Sequence, residues 1–157
     1  MESKRDCYGQ CYGVRNGEFC INPAILQTSD GNKSRLNYRA RDKTDNLGVI
    51  PFKYLFFALN ASIKGYAYMR KVVAIDGTHL RGRYGGCLEA ASTQDANFQC
   101  FPLAFGIVNS ENDEAWTWFI NKLSDVVPDE PDLVFVSDRH ASIYASIRKV
   151  LIIAKLK

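Results

Sequence analysis

The sequence predicts an α/β protein built on a mixed sheet, with elements in the order β-β-β-α-β-α and a helix ahead of them. Three observations carry this expectation. Two continuous apolar runs, Val72-Val73-Ala74-Ile75 and Leu133-Val134-Phe135-Val136, have the length and the Val, Ile and Phe content of strands buried on both faces. Each run leads into an aspartate, Asp76 in the first and Asp138 in the second. Between them lie two more strand-like stretches joined by short turns, then one amphipathic stretch at helical spacing, the pattern of a meander followed by a crossover.

Length and composition bound the reading. The chain has 157 residues, 46% hydrophobic and 12% aromatic, enough for one folded domain with a real core and unlike a disordered tail. A net charge of +3 permits an anionic partner without arguing for one, because a nucleic-acid footprint depends on clustering. Five cysteines, an odd number without paired spacing, read as reduced thiols of an intracellular protein. Met1–Gln10 is polar and charged, without the apolar centre of a secretory signal. The longest apolar stretches, near Tyr54–Leu59 and Cys100–Val108, fall far short of the ~20 residues that span a bilayer, so no membrane partner is expected.

Residues 1–50 read as a poorly defined N-terminal arm and 51–157 as the folded domain. In the arm, Cys7, Cys11 and Cys20 have no fourth Cys or His nearby, against the four ligands of a structural zinc site. The basic residues Lys33, Arg35, Arg39, Arg41 and Lys43, with Tyr38 among them, could touch nucleic-acid phosphates but read first as a solvated polar stretch. Pro51 then precedes Phe52–Leu59, whose dense apolar content predicts a helix with proline near its first turn, broken at Gly65. The first core strand is expected at about Lys71–Asp76 and, after the turn-rich segment Gly77–Gly86, the second at Cys87–Thr93. The third, Gln99–Val108, contains Pro102, which suits an edge or a bulge.

Ser110 reads as a helix cap, with Glu111, Asp113 and Glu114 placed where the helix dipole favours acids. The helix is expected over Asp113–Val126, with Ala115, Trp116, Phe119, Ile120 and Leu123 on one apolar face, and Pro128 and Pro131 beyond its end. The strand Leu133–Val136 and a helix over Ala141–Ile153 follow. A strand–helix–strand crossover returns the last strand parallel to the first. Neighbouring strands lie ~5 Å apart, so Asp76 and Asp138 would share one rim and could share a divalent cation.

The wording of the chain is more specific. The blocks Ala74-Ile75-Asp76-Gly77-Thr78-His79-Leu80-Arg81-Gly82-Arg83-Tyr84-Gly85-Gly86, Phe101-Pro102-Leu103-Ala104-Phe105-Gly106, Glu111-Asn112-Asp113-Glu114-Ala115-Trp116-Thr117-Trp118-Phe119 and Phe135-Val136-Ser137-Asp138-Arg139 resemble the transposase domain of Mutator-like elements (MULE), over roughly Pro51 to Val150. The resemblance implies a ribonuclease-H-like fold, incomplete here, and DDE chemistry in which three carboxylates hold two Mg²⁺ or Mn²⁺ ions about 4 Å apart to cut and join DNA. It implies Asp76 and Asp138 as the first two carboxylates, DNA as partner, the nucleus as location and an origin among plant genes derived from such elements. The third carboxylate of the family is a downstream Glu, and Arg139–Lys157 contains no Asp or Glu. The expectation is therefore a C-terminally truncated, catalytically inactive domain. Its alternative is a domesticated remnant that binds DNA or protein without catalysis, with oligomerisation left open.

Around the rim, Arg81, Arg83 and Arg139 could grip phosphates or compensate the aspartates, and His79 and His140 could contact DNA or lie on the surface. Of the upstream acids, Glu89 reads as a solvent-facing strand residue, and Asp113 and Glu114 as helix-start acids. Ile75-Asp76-Gly77-Thr78 also resembles the nucleophile motif of haloacid-dehalogenase-like phosphatases, but the nucleophile position holds Ala74, which excludes that mechanism.

Overall fold

The computed structural model describes residues 13–15, 18–20, 35–40, 52–81, 85–138, 140–152 and 155–156. In chain order the elements are β1 (Gly13–Arg15), β2 (Glu18–Cys20), β3 (Arg35–Ala40), β4 (Phe52–Ala58), α1 (Asn60–Gly65) with a 3₁₀ turn at Tyr66–Tyr68, β5 (Val72–His79), β6 (Cys87–Gln94), β7 (Cys100–Val108), α2 (Asp113–Leu123), β8 (Val134–Ser137), α3 (Ala141–Val150) and β9 (Lys155–Leu156). β1 and β2 pair with each other, and the other seven strands form one mixed sheet in the order β3-β4-β7-β6-β5-β8-β9.

β5 is an interior strand of this sheet, but it is not buried on both faces as its continuous hydrophobicity predicted: Val73 and Ile75 are buried under the helices, while Val72, Ala74 and Asp76 on the other face are exposed. It pairs antiparallel with β6 from Ala74↔Ser92 to His79↔Cys87. On its other side it pairs parallel with β8 from Val72↔Val134 to Ile75↔Ser137. The meander β5–β6–β7 and the return of β8 through α2 match the predicted order. Pro102 sits where the register slips from Ala91↔Ala104 to Ser92↔Pro102, a bulge at Leu103. β4 pairs with β7 only over Phe105–Val108, so no ladder bond on that side calls on the missing N–H of Pro102.

The helix expected over Phe52–Leu59 is instead the strand β4, and among the described residues the α-helix ahead of the meander is the short α1. The period explains the difference. Tyr54, Phe56 and Ala58 are buried while Lys53, Leu55 and Phe57 are half-buried, an alternation of two within an aromatic-rich segment suited to a pleated surface. A proline ahead of such a run marks the start of a strand as readily as the first turn of a helix.

Both long helices bury their apolar stripes in the same cluster. Trp116, Phe119, Ile120 and Leu123 of α2 meet Ile143 and Ile147 of α3, together with Val73, Ile75, Ala91, Ala104 and Phe135 from the sheet. Phe119 packs against Phe56 with ring centroids 5.7 Å apart and edge-on against Trp116 at 6.0 Å. The side chain capping α2 is Asn112, which accepts from the Ala115 N–H at 2.9 Å, while Ser110 Oγ accepts from Asn112 Nδ2 at 2.8 Å. On the opposite sheet face Val72, Phe105 and Val136 are exposed, each one position from a buried neighbour.

Gly106 marks where α2 comes closest to the sheet. A Cβ there would lie 2.7 Å from Phe119 Cδ2, whose ring is fully buried. Gly106→Ala is therefore expected to lower stability by about 1–3 kcal/mol through overpacking, measured by urea unfolding, whereas an unchanged midpoint would mean that α2 does not rest on this strip.

Candidate functional site at the carboxyl ends of the central strands

Asp76 is not the last residue of its strand, as the sequence suggested, because β5 continues to His79 on the side paired with β6. On the other side, the parallel ladder to β8 ends at Ile75↔Ser137. Asp76 and Asp138 are therefore the next residues on two adjacent strands, and both are exposed. Each carboxylate has one oxygen held by the backbone. Asp76 Oδ1 accepts from the Gly77 N–H at 2.9 Å, and Asp138 Oδ1 accepts from the His140 N–H at 3.2 Å.

The donor set fits part of a divalent-cation site. Two exposed carboxylates on neighbouring strand ends are the hard oxygen ligands that Mg²⁺ and Mn²⁺ take. Among the described residues, however, no group of three or more His, Cys, Asp or Glu is arranged to hold a metal ion. Asp113 and Glu114 are exposed in the first turn of α2, and Glu114 accepts from Lys53 Nζ at 2.8 Å, a bond that raises the Lys53 pKa. Both stand at the helix start, as their ordinary reading requires.

His79 closes β5, and Arg81 follows it, exposed, in a segment tied by the Leu80 N–H to the Gly86 carbonyl at 2.9 Å. Arg83 and Arg139 lie outside the described residues. His140 is the N-cap residue of α3, and its Nδ1 is buried without a hydrogen bond. The carboxylate atom facing it is Glu111 Oε1 at 3.9 Å, beyond hydrogen-bond reach. Trp116 is core, as expected, and Trp118 leans on Tyr54 with centroids 5.3 Å apart.

Two acids behind the rim differ from expectation or escaped it. Glu89, expected to face solvent, is fully buried. Its register partners are Gly77 on β5 and Gly106 on β7, so a strip without side chains flanks it on both sides. A Cβ on Gly77 would meet Trp116 Cζ2 at 2.9 Å, and one on Gly106 would lie 3.3 Å from Glu89 Oε2. Glu89 thus lies beneath α2, with neither oxygen hydrogen-bonded. Burial first, then the Glu111 charge, pushes its pKa up to about 8. The alternation of Cys87, Glu89, Ala91 and Thr93, all buried, is the sequence signal that could have placed it inside. Glu111, half-buried just before α2, accepts from Trp116 Nε1 at 3.3 Å. Burial raises the Cys87 thiol pKa nearby, opposed by a hydrogen bond to the Glu111 backbone.

Among known proteins, the family model described as MULE transposase domain matches residues 72–156, from the first residue of β5 to the last of β9. The matched span includes Asp76, Glu111 and Asp138 and exceeds half of the chain. No curated protein matches the chain.

The buried carboxyl makes stability depend on pH with a definite sign. Glu89 titrates near its ordinary 4.5 when unfolded and at about 8 when folded, so the folded state binds the extra proton between those values. The stability of the neutral form is fully present below about pH 4.5 and is lost as pH rises through about 8. Glu89→Leu is expected to flatten that fall and to raise stability at about pH 8 more than at about pH 5, read from urea unfolding at both. An equal shift at the two pH values would show that Glu89 does not carry the dependence.

Proposed function

This chain belongs to the MULE transposase family, and from that premise we propose that Asp76 and Asp138 are two carboxylates of a DDE metal site whose ancestral work was cutting and joining DNA. The observation that carries the reading is their position immediately after the last parallel pair, Ile75↔Ser137. The strand order around β5, with two antiparallel strands on one side and a parallel strand on the other, supports a ribonuclease-H-like domain. Asp76 and Asp138 would hold Mg²⁺ or Mn²⁺, which when bound supplies Lewis-acid polarisation of a phosphodiester. His79 and Arg81, exposed just past the rim, are placed to take DNA phosphates, and His140 lies beside Asp138.

The same site argues for a chain that binds without completing strand transfer. Two metals need at least a third carboxylate, and among the described residues no group of three or more His, Cys, Asp or Glu is arranged around the pair to hold a metal ion. In this reading the protein is a transposon-derived DNA-binding remnant, nuclear because its partner is DNA. No helix among the described residues is long and apolar enough to cross a membrane.

The deciding experiment pairs Mn²⁺ binding with Mn²⁺-dependent nicking of DNA that carries element ends. The expected outcome is measurable Mn²⁺ binding, weakened by about tenfold or more in Asp76→Ala and in Asp138→Ala, with no nicking by any form. Nicking abolished by Asp76→Ala would overturn the inactive reading. Mn²⁺ binding indifferent to both substitutions would overturn the assignment of the pair.

A further inference from the structure

Glu111 meets three parts of the rim with one oxygen atom. Its Oε1 accepts from the buried Trp116 indole N–H at 3.3 Å, lies 3.3 Å from where a Cβ on Gly77 would be, and faces His140 Nδ1 at 3.9 Å. The side chain is only 17% exposed, and the His140 nitrogen facing it is buried with no hydrogen bond. His140 in turn reaches Asp138, since its backbone N–H donates to Asp138 Oδ1. The indole holding Glu111 from below is itself fixed, being fully buried edge-on to Phe119.

We propose that Glu111 is a positioning residue for Asp138. The carboxylate, anchored by Trp116, sets the place of the His140 ring. The ring sets the first turn of α3, and the His140 N–H then aims one oxygen of Asp138, leaving the other turned outward. Glu111 acts through His140 and not as a third ligand, because strand alternation puts Gly77 on the helix-covered face and Asp76 on the other. Gly77 is part of the same device, as any side chain there would displace the carboxylate or the indole. The importance of this hold for metal binding rests on the reading of Asp76 and Asp138 as a ligand pair, while the hold itself does not.

Two readouts separate these levels. Amide hydrogen exchange at His140, referred to the core amide of Phe135, reports the hold directly. Glu111→Ala is expected to lower relative protection at His140 by about tenfold, while Glu111→Gln, whose amide oxygen still accepts from Trp116, keeps most of it. The Mn²⁺ affinity of the rim is expected to fall about 10- to 100-fold in Glu111→Ala and to be largely rescued in Glu111→Gln. His140→Ala, which retains the backbone N–H, should reproduce the loss, and the double variant with Glu111→Ala should lose no more. Unchanged His140 protection in Glu111→Ala, or additive losses in the double variant, would overturn the proposal. Should Glu111→Ala not fold, the comparison of Glu111→Gln with His140→Ala decides it. Equal affinity loss in both would mean that the charge matters and not the hold. Protection lost at His140 without any change in Mn²⁺ binding would keep the positioning role and remove the metal reading.

Discussion

The seating of α2 on the sheet through Trp116 and Phe119 is the contact on which the rest of the structure depends. It roofs β5, β6 and β7 over a strip that Gly77 and Gly106 keep clear of side chains. It also sets the crossover, since the chain leaving α2 returns through β8 parallel to β5. Only that return puts Asp138 beside Asp76. A looser helix would leave the strands paired locally but would not fix the rim.

The magnitudes explain why an unpaired acid is tolerated beneath this roof. Truncating a buried Trp or Phe to Ala costs about 3–5 kcal/mol, so the two rings outweigh one neutral carboxyl left without partners, at about 1–3 kcal/mol. The balance holds while Glu89 is protonated. Once it ionises, no cation among the described residues compensates the charge, and the Glu111 carboxylate opposes it. A carboxyl without partners therefore lies directly behind the rim. α2 thus frames the site and also covers the acid whose ionisation opposes folding as pH rises.

Most of the frame was legible in the sequence because it is written in local period. The strands β5 and β8, the stripe of Ala115, Trp116, Phe119, Ile120 and Leu123, and the interruption of β7 next to Pro102 each follow from their own residues. β4 was not, because a segment with apolar residues on both faces satisfies a strand and a buried helix alike, and the pairing with β7 that decides it is non-local. The strand Arg35–Ala40 was missed for the same reason, since its partner is β4. At the site, the two aspartates stood out because each follows a strand run. Glu89 was misread because residue type was weighed above phase, and a Glu between Leu88 and Ala90 takes the face its strand dictates. Glu111 has a helix-start setting that gives an acid an ordinary role, and its place beside Gly77, Trp116 and His140 exists only in the folded chain.

Strand alternation also explains why these acids fall into two groups. Along β5, Val73, Ile75 and Gly77 turn toward the helices, and Ala74 and Asp76 turn away. Asp76 therefore presents its carboxylate on the uncovered face, whereas Glu89 and Glu111 approach the same level from the covered side. A cation held by Asp76 and Asp138 would sit where water and a DNA phosphate can reach it. The acids behind the sheet are screened from that position by β5 itself. Their charge reaches the outer pair only through groups that pass around the strand end, and His140, between Glu111 and Asp138, is the described residue that does so. On the proposed reading the rim would have an outer pair to meet the ligand and an inner acid to aim one member of that pair, and the alternation of β5, one residue per face, would keep the two roles apart.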